Sequence, residues 1–213
     1  MLAGINVIGV LLFDSKTGAL DKIIKDESQA SAVALSPDGS KVAVSYFDGR
    51  VALFDTKSGA VVRSISAYSD GFYDVGTLAY SPDGRFVACG MYKASDGHRI
   101  DGQWTVRQHN AIAVNIWDIA TGKIVAALNG DPARGTTDDA NSVWGLSWNR
   151  AGNMLAVGSL KAVRIWKTGQ DRSSFILSGE IPTRAYSLSF APDGDLATAS
   201  GTDVVIYSAN PQR

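Results

Sequence analysis

The residues able to do chemistry are few. Two histidines, His98 and His109, stand in the stretch 93–110, and the glutamates are Glu27 and Glu180 alone. The histidines have no cysteine and no closely spaced acidic pair beside them, so no metal centre is expected. Asp131, Asp138 and Asp139 lack the regular alternation of a calcium loop and read as a solvated loop. Cys89 lies in the apolar run Phe86-Val-Ala-Cys89 and reads as a buried strand thiol; as a single cysteine it can form no intrachain disulfide. Gly-x-Ser-x-Gly and phosphate-binding glycine loops are absent, and no cofactor is called for. What remains is contact chemistry. Tyr68, Phe72, Tyr73, Arg99, Trp104, Trp144, Arg184 and Tyr186 stand in or beside irregular segments. Aromatic residues and arginine dominate the energetics of protein–protein interfaces.

The totals exclude several classes of partner. The chain has 213 residues, 20 basic and 21 acidic, with a formal net charge of −1. These charges are scattered, whereas a nucleic-acid or anionic-membrane surface needs a basic stripe. Segment 5–13 is apolar but lacks a basic leader and a small-residue cleavage site, and it is too short to span a bilayer. It reads as a strand, and a cytoplasmic location is the expectation. Glycine is abundant at 22 residues, and nearly all acid is aspartate, which favours turns where glutamate favours helices. With no sustained 3.6-residue periodicity, the pattern predicts an all-β chain.

Residues 31–66 show the unit that must position the contact residues. Four short apolar runs are separated by Ser36-Pro-Asp-Gly39, Phe47-Asp-Gly49 and the turn 56–59. Proline and aspartate preset such turns, glycine supplies positive φ, and β-branched residues between them favour strands. The unit is a four-stranded antiparallel meander, and it recurs. Ser36-Pro-Asp-Gly39 is echoed by Ser81-Pro-Asp-Gly84, Ala191-Pro-Asp-Gly194 and, loosely, Asn149-Arg-Ala-Gly152. Third strands end on Phe13, Phe54, Trp117, Trp166 and Tyr207; Asp14, Asp55 and Asp118 follow three of these, with Gly18, Gly59 and Gly122 closing their turns. Copies of one sheet with two unburied faces must pack face to face around an axis, which predicts a β-propeller.

Ile116-Trp117-Asp118-Ile-Ala-Thr-Gly122 and the two Leu-Phe-Asp segments ending at Gly18 and Gly59 resemble the WD-repeat family. The resemblance covers nearly the whole chain and implies a non-catalytic propeller acting as a protein-interaction scaffold. An enzyme or small-ligand binder with a site in the axial channel is the alternative. The Gly-His dipeptide that precedes the first strand of a WD blade is missing throughout. Its aspartate partner survives as Asp48 and Asp203, so the family's buried His–Asp–Trp network cannot be complete here.

Four to five blades are visible, in one propeller domain or segment: 5–24 (third and fourth strands only), 31–66, 75–128, 143–177 and 185–208 (first to third strands). The ends supply five strands to a blade that needs four. The count therefore predicts a partial ring completed by upstream blades or by self-association, or a small ring with an extra strand. Turns between strands one and two, and three and four, fall at one end of the blades and are regular. The opposite end carries the irregular segments 67–74, 93–110, 130–141 and 179–184, and it is the expected working face. The paired Asp-Gly steps of 93–110 predict a hairpin between strands two and three. For Trp144 and Tyr186 two readings stay open. They contact a partner, or they extend, at period two, the rows through Trp148 and Phe190 and pack between blades.

Overall fold

A computed structural model describes residues 1–6, 9–66, 74–92, 98–100, 103–105, 112–129, 142–169 and 174–209. These residues form strands and turns, with no helix among them. The first sheet contains β1 (Leu2–Asn6), β2 (Gly9–Phe13) and β3 (Leu20–Ile24). The second is a meander of β4 (Ala30–Leu35), β5 (Lys41–Tyr46), β6 (Arg50–Asp55) and β7 (Val61–Ser66). In the third, β8 (Asp74–Tyr80) and β9 (Phe86–Tyr92) are followed by a separate hairpin, β10 (His98–Ile100) and β11 (Gln103–Thr105), before β12 (Ile112–Asp118) and β13 (Lys123–Asn129) complete the blade. The fourth comprises β14 (Val143–Trp148), β15 (Met154–Ser159), β16 (Val163–Thr168) and β17 (Phe175–Ile181). The fifth has β18 (Ser187–Phe190), β19 (Leu196–Ser200) and β20 (Asp203–Tyr207). The chain is an all-β propeller with antiparallel blades.

One strand departs from the expected count. The apolar run 5–13, read as a single strand, contains a reversal: β1 pairs with β2 from Leu2 opposite Phe13 to Asn6 opposite Gly9. The first sheet thus holds strands two, three and four. Gly9 at φ 141° makes the reversal possible, since a Cβ there would strike the Ile24 carbonyl oxygen. Its N–H is held by Asn6 Oδ1 at 3.2 Å.

The turn chemistry explains why the repeat is so regular. Gly39, at φ 70°, donates its N–H to the Ser36 carbonyl at 2.8 Å. Ser36 Oγ donates to Asp38 Oδ1 at 2.6 Å and accepts the Lys41 N–H at 2.9 Å. Ser81 and Asp83 repeat this arrangement, and in the loose copy Asn149 Oδ1 accepts the N–H groups of Asn153 and Met154 instead. At the three-to-four turns, Asp14, Asp55 and Asp118 each accept both the N–H and the hydroxyl of the residue three positions on, Thr17, Ser58 and Thr121. The two turn sets are stitched together by one bond in three blades: Thr56 to Ser40, Ile119 to Arg85, and Thr168 to Asn153, backbone to backbone at 2.9–3.0 Å. Four blades also share a register shift at the third-strand aromatic, between Leu12 and Phe13, Leu53 and Phe54, Ile116 and Trp117, and Ile165 and Trp166.

Among the described residues the core forms four seams, one between each pair of successive sheets. Val10 and Leu12 meet Val42, Val44 and Phe54. Val51 and Leu53 meet Val87, Cys89 and Trp117. Val114 and Ile116 meet Leu155 and Val157, and Val163 meets Leu188 and Leu196. In each seam the aliphatic pair of a third strand faces the second strand of the next blade. At Gly90 and Gly158, equivalent positions of β9 and β15, the next blade's first strand passes so close that a Cβ would overlap Val143 or Leu188. Cys89 lies inside a seam, and burial pushes its thiol pKa up, as expected for an inert thiol.

The WD network is replaced rather than merely lost. Ser28 Oγ, two residues before β4, donates to Asp48 Oδ2 at 2.8 Å. Arg50 pairs with Asp26 through two nitrogens at 2.6 and 3.2 Å, reaches Asp48 at 3.6 Å, and lies 4.0 Å above the Tyr46 ring. Trp117 Nε1 is buried with no hydrogen-bond partner among the described residues, and Asp203 is exposed at the start of β20.

Two predictions follow from the seams and turns. Ile116 is fully buried and Ile206, its equivalent in the last blade, is exposed. Ile116→Ala should cost about 2–5 kcal/mol, and Ile206→Ala in dilute solution no more than about 0.5 kcal/mol, by urea denaturation; equal costs would contradict the seam assignment. The second concerns acid. The carboxyls of Asp14, Asp55 and Asp118 are held low chiefly by backbone N–H groups, that of Asp38 by the Ser36 hydroxyl, and that of Asp26 by Arg50. A folded value below the unfolded one gives stability that is complete above the ordinary carboxylate range and lost as pH falls through the folded value. The Tm should therefore hold from neutrality to roughly pH 5 and drop below about pH 4, with Asp118→Asn flattening the acid limb. A Tm unchanged through that range would contradict the role given to these turns.

Candidate functional site

An antiparallel meander puts its one-to-two and three-to-four turns at one end and all remaining connections at the other. Among the described residues the aspartates concentrate at the first end. Asp14, Asp38, Asp55, Asp83 and Asp118 are all engaged within or between their own turns. Their abundance is therefore structural. Among the described residues, no group of three or more His, Cys, Asp or Glu could hold a metal ion.

The opposite end begins with the first strands, which are innermost because β4, β8, β14 and β18 contact one another in succession. Each of β4, β8 and β14 pairs with its second strand through a bulge, between Ala30 and Ala32, Val75 and Thr77, and Val143 and Gly145. The extra residues are Ser31, Gly76 and Trp144. In the last blade Tyr186 has the same place: its N–H bonds the Ala199 carbonyl, while Ala199 already pairs with Ser187. A bulge breaks the two-residue alternation and re-aims the side chain. Trp144 and Tyr186 thus leave the rows of Trp148 and Phe190 and meet each other, with ring centroids 5.5 Å apart and planes at 84°. Trp148 stays in a seam. Trp144 is half-buried, Tyr186 exposed, and Arg184 exposed two residues earlier. Such edge-to-face pairs contribute about 0.5–1.5 kcal/mol beyond their buried area, which fixes both rings at the blade ends.

The other candidates divide. Arg99 and Trp104 are directly opposite each other in the β10–β11 hairpin, which stands between the second and third strands of its blade. Tyr68, Phe72 and Tyr73 lie outside the described residues, as do His109, Asp131, Asp138 and Asp139. The sequence reading missed a cleft at this same end. Asn6, Gly9 and the run from Asp26 to Ala30 enclose about 240 Å³. The signal for it, the Asn6-to-Gly9 reversal, was hidden in an unbroken apolar run.

Comparison with known proteins agrees with this architecture. The chain matches the WD domain, G-beta repeat over residues 59–98 and 133–167, and the anaphase-promoting complex subunit 4 WD40 domain over residues 15–76. It is 40% identical over 72 residues to echinoderm microtubule-associated protein-like 1 of Mus musculus, Rattus norvegicus and Homo sapiens, a stretch that is 34% of this chain. It spans about 8% of the length of those curated relatives. Tricorn protease homolog 1 of Streptomyces coelicolor is 45% identical over 56 residues, 26% of this chain and 5% of that protein. Among solved structures, Kuenenia stuttgartiensis hydrazine synthase superposes with a TM-score of 0.70 at 18% identity, over 97% of this chain and 67% of that one, a likeness of fold. With the bladed sheets, the recurring turns and the repeat matches taken together, the chain belongs to the WD-repeat family of β-propellers.

Proposed function

We propose that the chain is a non-catalytic scaffold in the cytoplasm that binds protein partners at the irregular end of its blades. The observation that carries this reading is the Trp144–Tyr186 pair. The bulge at Trp144 and the residue preceding β18 bring two aromatic rings of adjacent blades edge to face, with the exposed Arg184 two residues before Tyr186 in the chain. Rigid aromatics and an exposed guanidinium are the residue types that anchor protein interfaces. The β10–β11 hairpin, with Arg99 opposite Trp104, extends the same end, and Tyr68, Phe72 and Tyr73 fall in its inter-blade segment by sequence.

The alternative, an enzyme or small-ligand site, draws on the similarity of one segment to a protease homolog and on the cleft beside Asp26. That cleft, at about 240 Å³, is smaller than the roughly 300–1,000 Å³ usual for small-molecule sites. Asp26 is already paired with Arg50. No described helix is long and apolar enough to cross a membrane.

Quantitative affinity capture should compare the wild type with Arg184→Glu plus Tyr186→Ala, and with Ser58→Ala at the regular end. The face variant should lose its partners with a cost near 2 kcal/mol, about thirtyfold in Kd, at unchanged Tm. Ser58→Ala should retain them. Partners retained by the face variant, or lost with Ser58→Ala, would sink the assignment.

A further inference from the structure

Ser159 is the point at which three elements of two adjacent blades meet. β14 begins beside it, with Val143 as its pairing partner. The turn from β15 to β16 closes on its hydroxyl, which donates to the Ala162 carbonyl at 2.9 Å and accepts the Ala162 N–H at 3.2 Å. The segment leading into β18 is tied to its carbonyl by the Ala185 N–H at 2.9 Å. Val143, Ala162 and Ala185 are buried with it. Four long side chains leave the backbone next to these anchors: Trp144 after Val143, Lys161 before Ala162, and Arg184 and Tyr186 on either side of Ala185.

None of these residue types is needed to build a seam. At the equivalent junction of the second and third sheets, Ser31, Asp74 and Gly76 take the places of Trp144, Arg184 and Tyr186. Lys161 and Arg184 are exposed, and Arg184 makes no hydrogen bond or ion pair among the described residues. The carboxylate on the adjoining strand, Glu180, is taken by Arg164 at 2.8 Å, and Asp203 in the next turn forms no ion pair. Arg184 therefore keeps its charge and its forked donors for a ligand. The junction is bounded by β14–β17 on one side and β18–β20 on the other, so these anchors do not depend on what adjoins either outer sheet.

We infer that the partner segment received at this junction is an acidic, extended stretch of protein. This rests on the partner-binding reading above and gives that partner its chemistry. One carboxylate meets the Arg184 guanidinium through paired N–H donors, a geometry that favours carboxylate over a point contact. A second carboxylate meets the Lys161 ammonium, and an apolar side chain of the segment packs on the Trp144–Tyr186 pair. Charge complementarity of this kind selects the partner and speeds its arrival, and it weakens as salt rises.

Selection of short peptides from a random phage-displayed library on the full chain tests it, with fluorescein-labelled winners measured by fluorescence anisotropy. Winners that lose binding to Tyr186→Ala should be enriched in aspartate and glutamate, and their Kd should rise with sodium chloride. Arg184→Glu should weaken them about thirtyfold and Lys161→Glu about tenfold, each at unchanged Tm. Lys57→Glu, the same change of charge at an exposed turn of the regular end, should leave Kd within about twofold. Exchanging the winners' carboxylates for lysine should abolish binding to the wild type and restore it to Arg184→Glu. Tyr186-dependent winners without acidic enrichment, or acidic winners indifferent to Arg184→Glu, would overturn the inference and leave the partner-binding face standing. Winners indifferent to Tyr186→Ala and Arg184→Glu alike, or no winners at all, would remove that face and the inference with it.

Discussion

The contact on which the rest depends is the seam between successive blades, where the third-strand aliphatic pair of one sheet meets the second strand of the next. A single meander of this kind buries little by itself, because a four-stranded sheet has two faces and the chain between its turns is short. Stacking covers both faces at once, and each buried Val, Leu or Ile contributes about 1.5–3 kcal/mol relative to exposure. Stability is thus distributed along a row rather than concentrated in one centre. The repeated bulges, the small residues at Gly90 and Gly158, and the stitch between the two turn sets all keep successive sheets at one spacing.

That constraint divides the molecule into two ends with different freedom. At the regular end, serine, asparagine and aspartate side chains are consumed in closing turns, and their carboxyls are held low by the donors they accept. Little chemistry is left over there. The other end needs only to return the chain to the next strand, so insertions and bulges are tolerated. Ser31 and Gly76 become Trp144 and Tyr186 in the later blades without disturbing a seam. The same scaffold can thus hold a small residue in two blades and a large aromatic in the next two.

How much of this was legible in the sequence follows from how local each signal is. The Ser-Pro-Asp-Gly turns, the terminal aromatics and the aspartates after them are decided by residues within five positions, and they disclosed the blade and its repetition. The hairpin in 93–110 was likewise announced by its Asp-Gly steps. Other features depend on residues far apart. Whether 5–13 is one strand or two turns on Gly9 approaching the Ile24 carbonyl, which no run of apolar residues reveals. The period-two spacing of Trp144 and Trp148 describes an unbroken strand, whereas β14 carries a register shift between Val143 and Gly145 that only the pairing with β15 reveals. The absent Gly-His signalled an incomplete network, but not that Ser28, Asp26 and Arg50 would assemble around Asp48 in its place.

Hydrogen exchange read strand by strand tests the row of equivalent seams most directly. The amides of β5, β6, β9 and β12, flanked by seams on both faces, should exchange only through global unfolding, while β20 at an open face should exchange orders of magnitude faster in dilute solution. Protection of β20 equal to that of β6 and β12 at every concentration, or no graded difference between inner and outer sheets, would contradict the seam as the unit of this fold.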